Sequence, residues 1–349
     1  MVKQNKLKRS IRVILWIVVI LVIVGAKVGY WGYNRLHAPD FKNKKTVYVY
    51  VDRDLNYDDL CCQLTDSAHC ARIDDFKALA KVLKYPDNLK IGRYAVEPGM
   101  SHLALLNKLR RGQQTVTRIT FNNIRLVDDL AERLDEQLMI NKDEILHYLN
   151  DPEYCRSLGF NTETIGALFI PNTYEMYWNV SAESLIQRMK REYEAFWTDE
   201  RKQKAKAIDL TPVEVSTLAS IVEEESAATE EYSVIAGLYL NRIWKGMPLE
   251  ADPTLKFAVG NFAIKRVLNW HKEVDSPYNT YMYAGLPPGP IRTPSIKGLD
   301  AVLNYMPHKY LFMCAKEDFS GRHNFAVTLA EHNRNAARYH AELNRRRIR

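Results

Sequence analysis

Cysteine is scarce in this 349-residue chain, and its five cysteines form no CxxC pair. Cys61, Cys62, Cys70, Cys155 and Cys314 have no histidine at a zinc-type spacing, which argues against a metal site or a disulfide-dense miniprotein. An exported chain is able to join Cys70 to Cys61 or Cys62, but the odd count leaves a free thiol. Small buried apolar residues are an equally good reading. Fifteen Gly and fourteen Pro are too few for a long low-complexity linker. A basic body is also missing. The net charge is +7, yet Lys3, Lys6, Lys8, Arg9 and Arg12 cluster at one end and Arg345, Arg346, Arg347 and Arg349 at the other. Without these nine cations the body carries about −2, which speaks against a nucleic-acid partner. What is present is 46% hydrophobic and 26% charged residues, enough for a globular core and too apolar for disorder.

One long hydrophobic run stands out. Val13 to Ala26 is uninterrupted, and apolar character resumes after Lys27 to Tyr33. As a helix, residues 13–33 reach about 31 Å, a bilayer core. The cations of residues 1–12 predict a cytoplasmic tail, with Tyr30, Trp31 and Tyr33 at the far interface. A signal peptide cleaved near Gly25-Ala26 is the competing reading; the resumption after Lys27 favours an anchor. Either way about 315 residues leave the cytoplasm.

Beyond a polar stalk, Thr46–Val51 alternates as a strand, helices are expected near Tyr57–Thr65 and Ile73–Leu83, and Lys90–Val96 reads as a second strand. This compact β-α-α-β unit continues with a helix over Ser101–Arg110 and a strand over Thr115–Phe121. Helices dominate from Leu126 to Lys206, broken by a turn at Ile170–Tyr174. Two more follow between Thr211 and Arg242. Gly246–Pro294 is rich in Gly, Pro, Asn and Tyr, and is long enough for a functional loop. A strand over Tyr310–Ala315 and a helix over Leu329–Asn344 close an α+β chain.

Thr211-Pro212-Val213-Glu214 is a capping box with proline at the first helical position. With Leu218 as the centre of the apolar stripe, Ile221, Val222 and Glu225 fall within about 60° of it, and Glu223 and Glu224 roughly 120–140° away. A carboxyl aimed at apolar surroundings has its pKa raised, as a general acid near neutral pH requires. A helix end that turns Glu225 into solvent is the other geometric reading, and phase alone does not choose. Glycosidic cleavage needs such an acid together with aromatic and amide groups for the sugar. Asn172-Thr173-Tyr174, Asp252-Pro253-Thr254 and Ser276-Pro277-Tyr278-Asn279-Thr280-Tyr281 supply these types, though each alone also reads as a turn or a core edge.

LASIVEEES (218–226), LNRIWKGMPLEADPT (240–254), SPYNTYMYAGLPPGPI (276–291) and HNFAVTLAEHN (323–333) together resemble the YceG-like endolytic murein transglycosylases, in family order. The β-α-α-β unit more weakly resembles that family's LysM-like module. The resemblance implies a membrane helix at 13–33, a LysM-like module with adjoining helix and strand at 46–122, and a mixed α/β catalytic domain at 123–349. It implies a lyase reaction on peptidoglycan strands, between N-acetylmuramic acid and N-acetylglucosamine, that leaves 1,6-anhydro ends without metal or cofactor. The second acid of the family's E-x-E motif falls on Glu225, and Glu223 becomes a supporting residue. Asn241, Asp252, Thr254, Tyr278, Asn279, Thr280, Tyr281 and Tyr174 match motif positions expected to bind substrate. Asn172 departs from the family's usual Asp, and Glu250 from a frequent Gln. The implied location is the bacterial inner membrane, single-pass, with a cytoplasmic N-terminus and a periplasmic catalytic domain; cell-wall synthases are candidate partners. Rival readings are a hydrolysing muramidase with water held by Asp252 or Glu223, and a membrane-anchored glycan-binding scaffold with an inert acidic helix.

Overall fold

The computed structural model describes residues 2–122, 124–264 and 267–346. Met1 of the basic tail, Asn123 at the expected domain boundary, and Arg347 and Arg349 lie outside the described residues, as do the side chains of residues 2–13. The architecture is mixed α+β and divides into two compact units. One runs to Thr117 and takes back Glu175–Asn179; the other comprises Arg118–Tyr174 and the chain from Val180 onward.

The first unit starts with the helix Val2–His37. Within it Ile14–His37 has a mean hydropathy of 2.3 and is nowhere buried, so it is long and apolar enough to cross a membrane. That stretch ends beyond the expected Tyr33. Strands Val47–Val51 and Gly92–Val96 then pair antiparallel, with Val47 opposite Val96 and Val51 opposite Gly92. Strand period explains the first: Val49 and Val51 point into the core, while Tyr48 and Tyr50 stay exposed. Between the strands, helices Tyr57–Asp66 and Ile73–Val82 bury Leu60, Leu64 and Phe76, and helix His102–Arg111 adds Leu105, Leu106 and Leu109. Cys61, Cys62 and Cys70 are free thiols, so the disulfide considered above is not formed. Cys70 Sγ instead donates to Asp40 Oδ2 at 3.3 Å, beside a His102 Nε2 contact of 2.6 Å to the same oxygen. Burial works to raise the Asp40 pKa, but hydrogen bonds from Arg72 and Cys70 and the nearby His102 outweigh it and hold the carboxyl at about 2.

The expected turn at Ile170–Tyr174 is corrected to the start of a strand, Asn172–Met176, paired with Thr117–Phe121. Alternation buries Tyr174 and Met176, and Tyr174 stacks on Phe121 with ring centroids 5.5 Å apart. A strand not foreseen, His323–Ala326, pairs antiparallel with Phe312–Ala315, and the helix Leu329–Arg345 packs on this hairpin. Its four residues are too few for periodicity to declare.

The acidic helix Pro212–Glu225 is central. It packs against helices Tyr232–Trp244, Asp252–Val259 and Ile296–Leu303, and every residue from Val215 to Val222 is buried. Its polar members are satisfied locally. Thr217 donates to Val213 O at 3.0 Å, and Ser220 donates to Thr217 O at 2.7 Å while accepting from Ile291 N at 3.0 Å. Two glycines permit the close packing: a Cβ at Gly298 would collide with the Glu223 carboxylate, and one at Gly237 would lie 2.5 Å from Met306 O. The capping box forms, with Glu214 Oε2 accepting from Thr211 N at 2.7 Å and Thr211 Oγ1 from Glu214 N at 3.3 Å. Thr211→Ala is expected to cost about 1 kcal/mol in urea unfolding of the second unit; an unchanged midpoint would show that packing alone fixes where the helix starts.

Candidate active site

The last turn of the acidic helix carries Glu223, Glu224 and Glu225, and all three are drawn into the protein. Glu223 accepts from Ser295 N at 3.0 Å and from the Ser295 hydroxyl. Glu224 accepts from Arg125 Nη2 at 2.9 Å and Arg292 Nη1 at 2.7 Å. Helical phase had set these two outside the apolar stripe, yet their side chains are only 5% and 18% exposed. The correction has a plain cause: the helix is enclosed on several sides, so its polar flank meets arginines and a helix N-cap instead of water.

Glu225 ends the helix at the wall of a cavity of about 380 Å³. It is half-buried, and Tyr239 donates to its Oε1 at 2.6 Å. Desolvation dominates its environment and raises the pKa from 4.5 to about 7; the Tyr239 bond opposes this and the Asp252 charge assists it. Tyr239 is itself pushed well above the usual tyrosine range by burial and by Glu225, so it stays a donor. Asp252, Tyr281, Arg242 and Glu250 share the cavity, with Phe312, His323 and His332 among its other walls.

A helix start and a loop meet there through buried hydroxyls. Thr254 and Thr280 lie 2.8 Å apart at their Oγ1 atoms, and Ala251 N donates to Thr280 Oγ1 at 3.1 Å. This staple sets Asp252 beside Tyr281, whose hydroxyl donates to Asp252 Oδ1 at 2.7 Å. Asn279 holds the loop from inside: its amide donates to Lys272 O at 2.9 Å and Val274 O at 2.8 Å and accepts from Tyr281 N at 3.0 Å. Arg242, 5% exposed, ties the rim by donating to Leu311 O, Pro248 O and Glu250 Oε2 at 2.7, 2.8 and 2.9 Å.

Of the residues expected to bind substrate, the cavity brings together Glu225, Asp252 and Tyr281. Thr254, Asn279 and Thr280 are at most 1% exposed, and in the structure their side chains hold the helix start and the loop that carry Asp252 and Tyr281. Asn241 is likewise spent on the chain, donating to His308 O at 2.9 Å and Tyr310 O at 3.1 Å. Tyr278 lines a separate cavity of about 190 Å³ beside Phe257, and burial lifts its pKa to about 12. Tyr174 is a core residue whose hydroxyl donates to Ile170 O at 2.6 Å. Glu223 supports the helix Ile296–Leu303 from its N-cap Ser295 and does not line the cavity. Tyr239, Arg242, His323 and His332 were missed. The two histidines lay in the HNFAVTLAEHN motif, and Tyr239 lies two turns into the next helix, Tyr232–Trp244, where only its pairing with Glu225 gives it away.

A protonatable carboxyl in an open polar cavity is equipped for general acid–base chemistry. Comparison with known proteins gives the setting. The profile of the YceG-like family matches residues 49–338, and the chain belongs to that family. It is 28% identical over 286 residues to the endolytic murein transglycosylase of Bacillus subtilis (strain 168), covering 77% of this chain and 78% of that protein. It is 28% identical over 346 residues to the endolytic murein transglycosylase of Streptococcus pneumoniae (strain D39 / NCTC 7466), and spans 62% of that longer relative. A YceG-like protein from Listeria monocytogenes, solved by crystallography, aligns with TM-score 0.54 and 27% identity over 84% of this chain and 99% of its own.

Asn279→Ala leaves two loop carbonyls without their donor, so it is expected to lower stability by about 1–3 kcal/mol along with activity. Thermal unfolding checks this; an unchanged melting temperature with lost activity would return Asn279 to the substrate.

Proposed function

We propose that this protein is an endolytic murein transglycosylase with Glu225 as its one essential acid and base. The observation that carries the reading is the placing of the Glu225 carboxyl on the wall of a polar cavity with Tyr239 donating to it, where burial raises its pKa to about 7. Because Tyr239 donates to Oε1, the proton of neutral Glu225 belongs on Oε2. It passes to the glycosidic oxygen as the bond to muramic C1 breaks. The resulting carboxylate then takes the proton of the muramic C6 hydroxyl as that oxygen closes on C1. The product is a 1,6-anhydro end, no water is consumed, and Glu225 is again protonated. Burial that disfavours the carboxylate favours both halves of this cycle, since the acid is ready at the start and the base is strong when formed.

The apolar helix supports an anchor with the remainder of the chain on the far side of the membrane, the cationic first residues staying in the cytoplasm. In a bacterium that side is the wall compartment, where a LysM-like first unit would hold glycan through faces such as exposed Tyr48 and Tyr50, and where cell-wall synthases would be partners. Asp252, in the same cavity, favours one second reading: it holds a water and the enzyme hydrolyses. Product mass separates the two, since an anhydro end is one water lighter.

Glu225→Gln keeps the side-chain size but has no proton to give, so anhydromuropeptide yield should fall by about 10²–10⁴ at matched folded concentration. Near-normal product from this variant would remove Glu225 from the chemistry. The raised pKa also fixes a pH dependence. Between about 4.5 and about 7 the folded state binds more protons at Glu225 than the unfolded state, so its stability contribution is full below 4.5 and lost as pH rises through 7. The melting temperature of Glu225→Gln should therefore gain on the wild type across that window, and wild-type kcat/KM should fall above about pH 7. A difference that does not change with pH would contradict the assignment.

A further inference from the structure

The HNFAVTLAEHN segment has no role in that scheme, yet its first histidine is held in a directed way. His323 Nδ1 lies 2.9 Å from Glu231 Oε2, and the His323 backbone N–H donates to Glu231 Oε1 at 2.9 Å. Glu231 is 8% exposed and also accepts from the Ser226 hydroxyl at 3.1 Å. Ser226, itself buried, directly follows Glu225, so the carboxylate behind the imidazole is braced against the same helix end that carries the acid. His323 lines the cavity together with Glu225, Tyr239 and Asp252. A carboxylate at Nδ1 fixes that nitrogen as the donor, which makes Nε2 of the neutral ring an acceptor. No hydrogen bond joins Nε2 to any described residue. Burying a carboxylate is costly, and tying the hairpin to Glu231 needs only the backbone N–H; the side-chain bond does something further, which is to aim a ring.

We infer that His323 is a substrate-contacting residue, its Nε2 accepting a hydrogen bond from a hydroxyl of the saccharide seated beside Glu225, with Glu231 as the positioning residue that fixes tautomer and ring orientation. The inference rests on the transglycosylase reading and adds a second contact to it. No proton is transferred to His323; the acid–base cycle stays on Glu225.

The side chain permits a test that separates contact from structure. His323→Asn keeps an amide nitrogen near the place of Nδ1, and so the bond to Glu231, but removes Nε2. His323→Gln reaches toward Nε2 with an acceptor oxygen. Expected are a wild-type melting temperature for His323→Asn, a kcat/KM for anhydromuropeptide formation at least about tenfold lower per folded molecule, and partial recovery in His323→Gln. Wild-type kcat/KM in His323→Asn would overturn the inference. Because a variant can fail to fold, a second measurement uses the full chain carrying Glu225→Gln with ¹⁵N-labelled histidine, titrated with a GlcNAc–MurNAc tetrasaccharide. A shift of the His323 Nε2 resonance is expected, and saturation of binding without one would overturn the contact. Failure of the wider reading looks different, since the wild-type enzyme would then make no anhydro product at all.

Discussion

Three consecutive carboxylates at the C-terminal end of an enclosed helix are the constraint around which the second unit is built. The carbonyl end of a helix carries partial negative charge, so acids there are unfavourable even in water, and enclosure adds desolvation. Each must be met by something specific. Glu223 is met by the N-cap of a neighbouring helix, Glu224 by two guanidiniums, and Glu225 by a single tyrosine hydroxyl. The first two are well compensated and organise their surroundings. The third is compensated least, and burial raises its pKa.

The same economy runs through the loops. Side chains of the polar, sugar-binding type, Asn279, Thr254 and Thr280, are spent inside the protein, where they join the start of the helix Asp252–Val259 to the loop that carries Tyr281. Arg242 performs the equivalent task at the rim through backbone carbonyls and Glu250. The cavity thus takes its shape from buried hydrogen bonds, and loss of one exposes the desolvation cost of its partner. Asp252 and Tyr281 reach the cavity because the residues beside them do not.

Much of this was legible in the sequence. The alternation of Val47–Val51, the capping box at Thr211 and the apolar run from Val13 act within a few residues, and the elements they announce are present. The phase of Glu225 is local too: it set this carboxyl on the apolar stripe but left open a helix end turned to solvent, and in the structure burial raises its pKa. Glu224 was misread because one helical projection knows a single stripe, while a helix packed on several sides has none. Asn279 was misread because a polar residue in a Pro-flanked loop has the same sequence whether its amide faces sugar or backbone. Tyr239, His323 and Arg242 depend on contacts between distant segments, and no spacing in one chain displays those.

The comparisons give the family, and the central claim is physical: enclosure keeps Glu225 protonated near neutrality. Infrared difference titration of the carboxyl band, wild type against Glu225→Gln, measures that proton directly. The account predicts a midpoint near pH 7 that moves up when Tyr239→Phe removes the opposing hydrogen bond. A midpoint near 4.5, the ordinary value for glutamate, would contradict it.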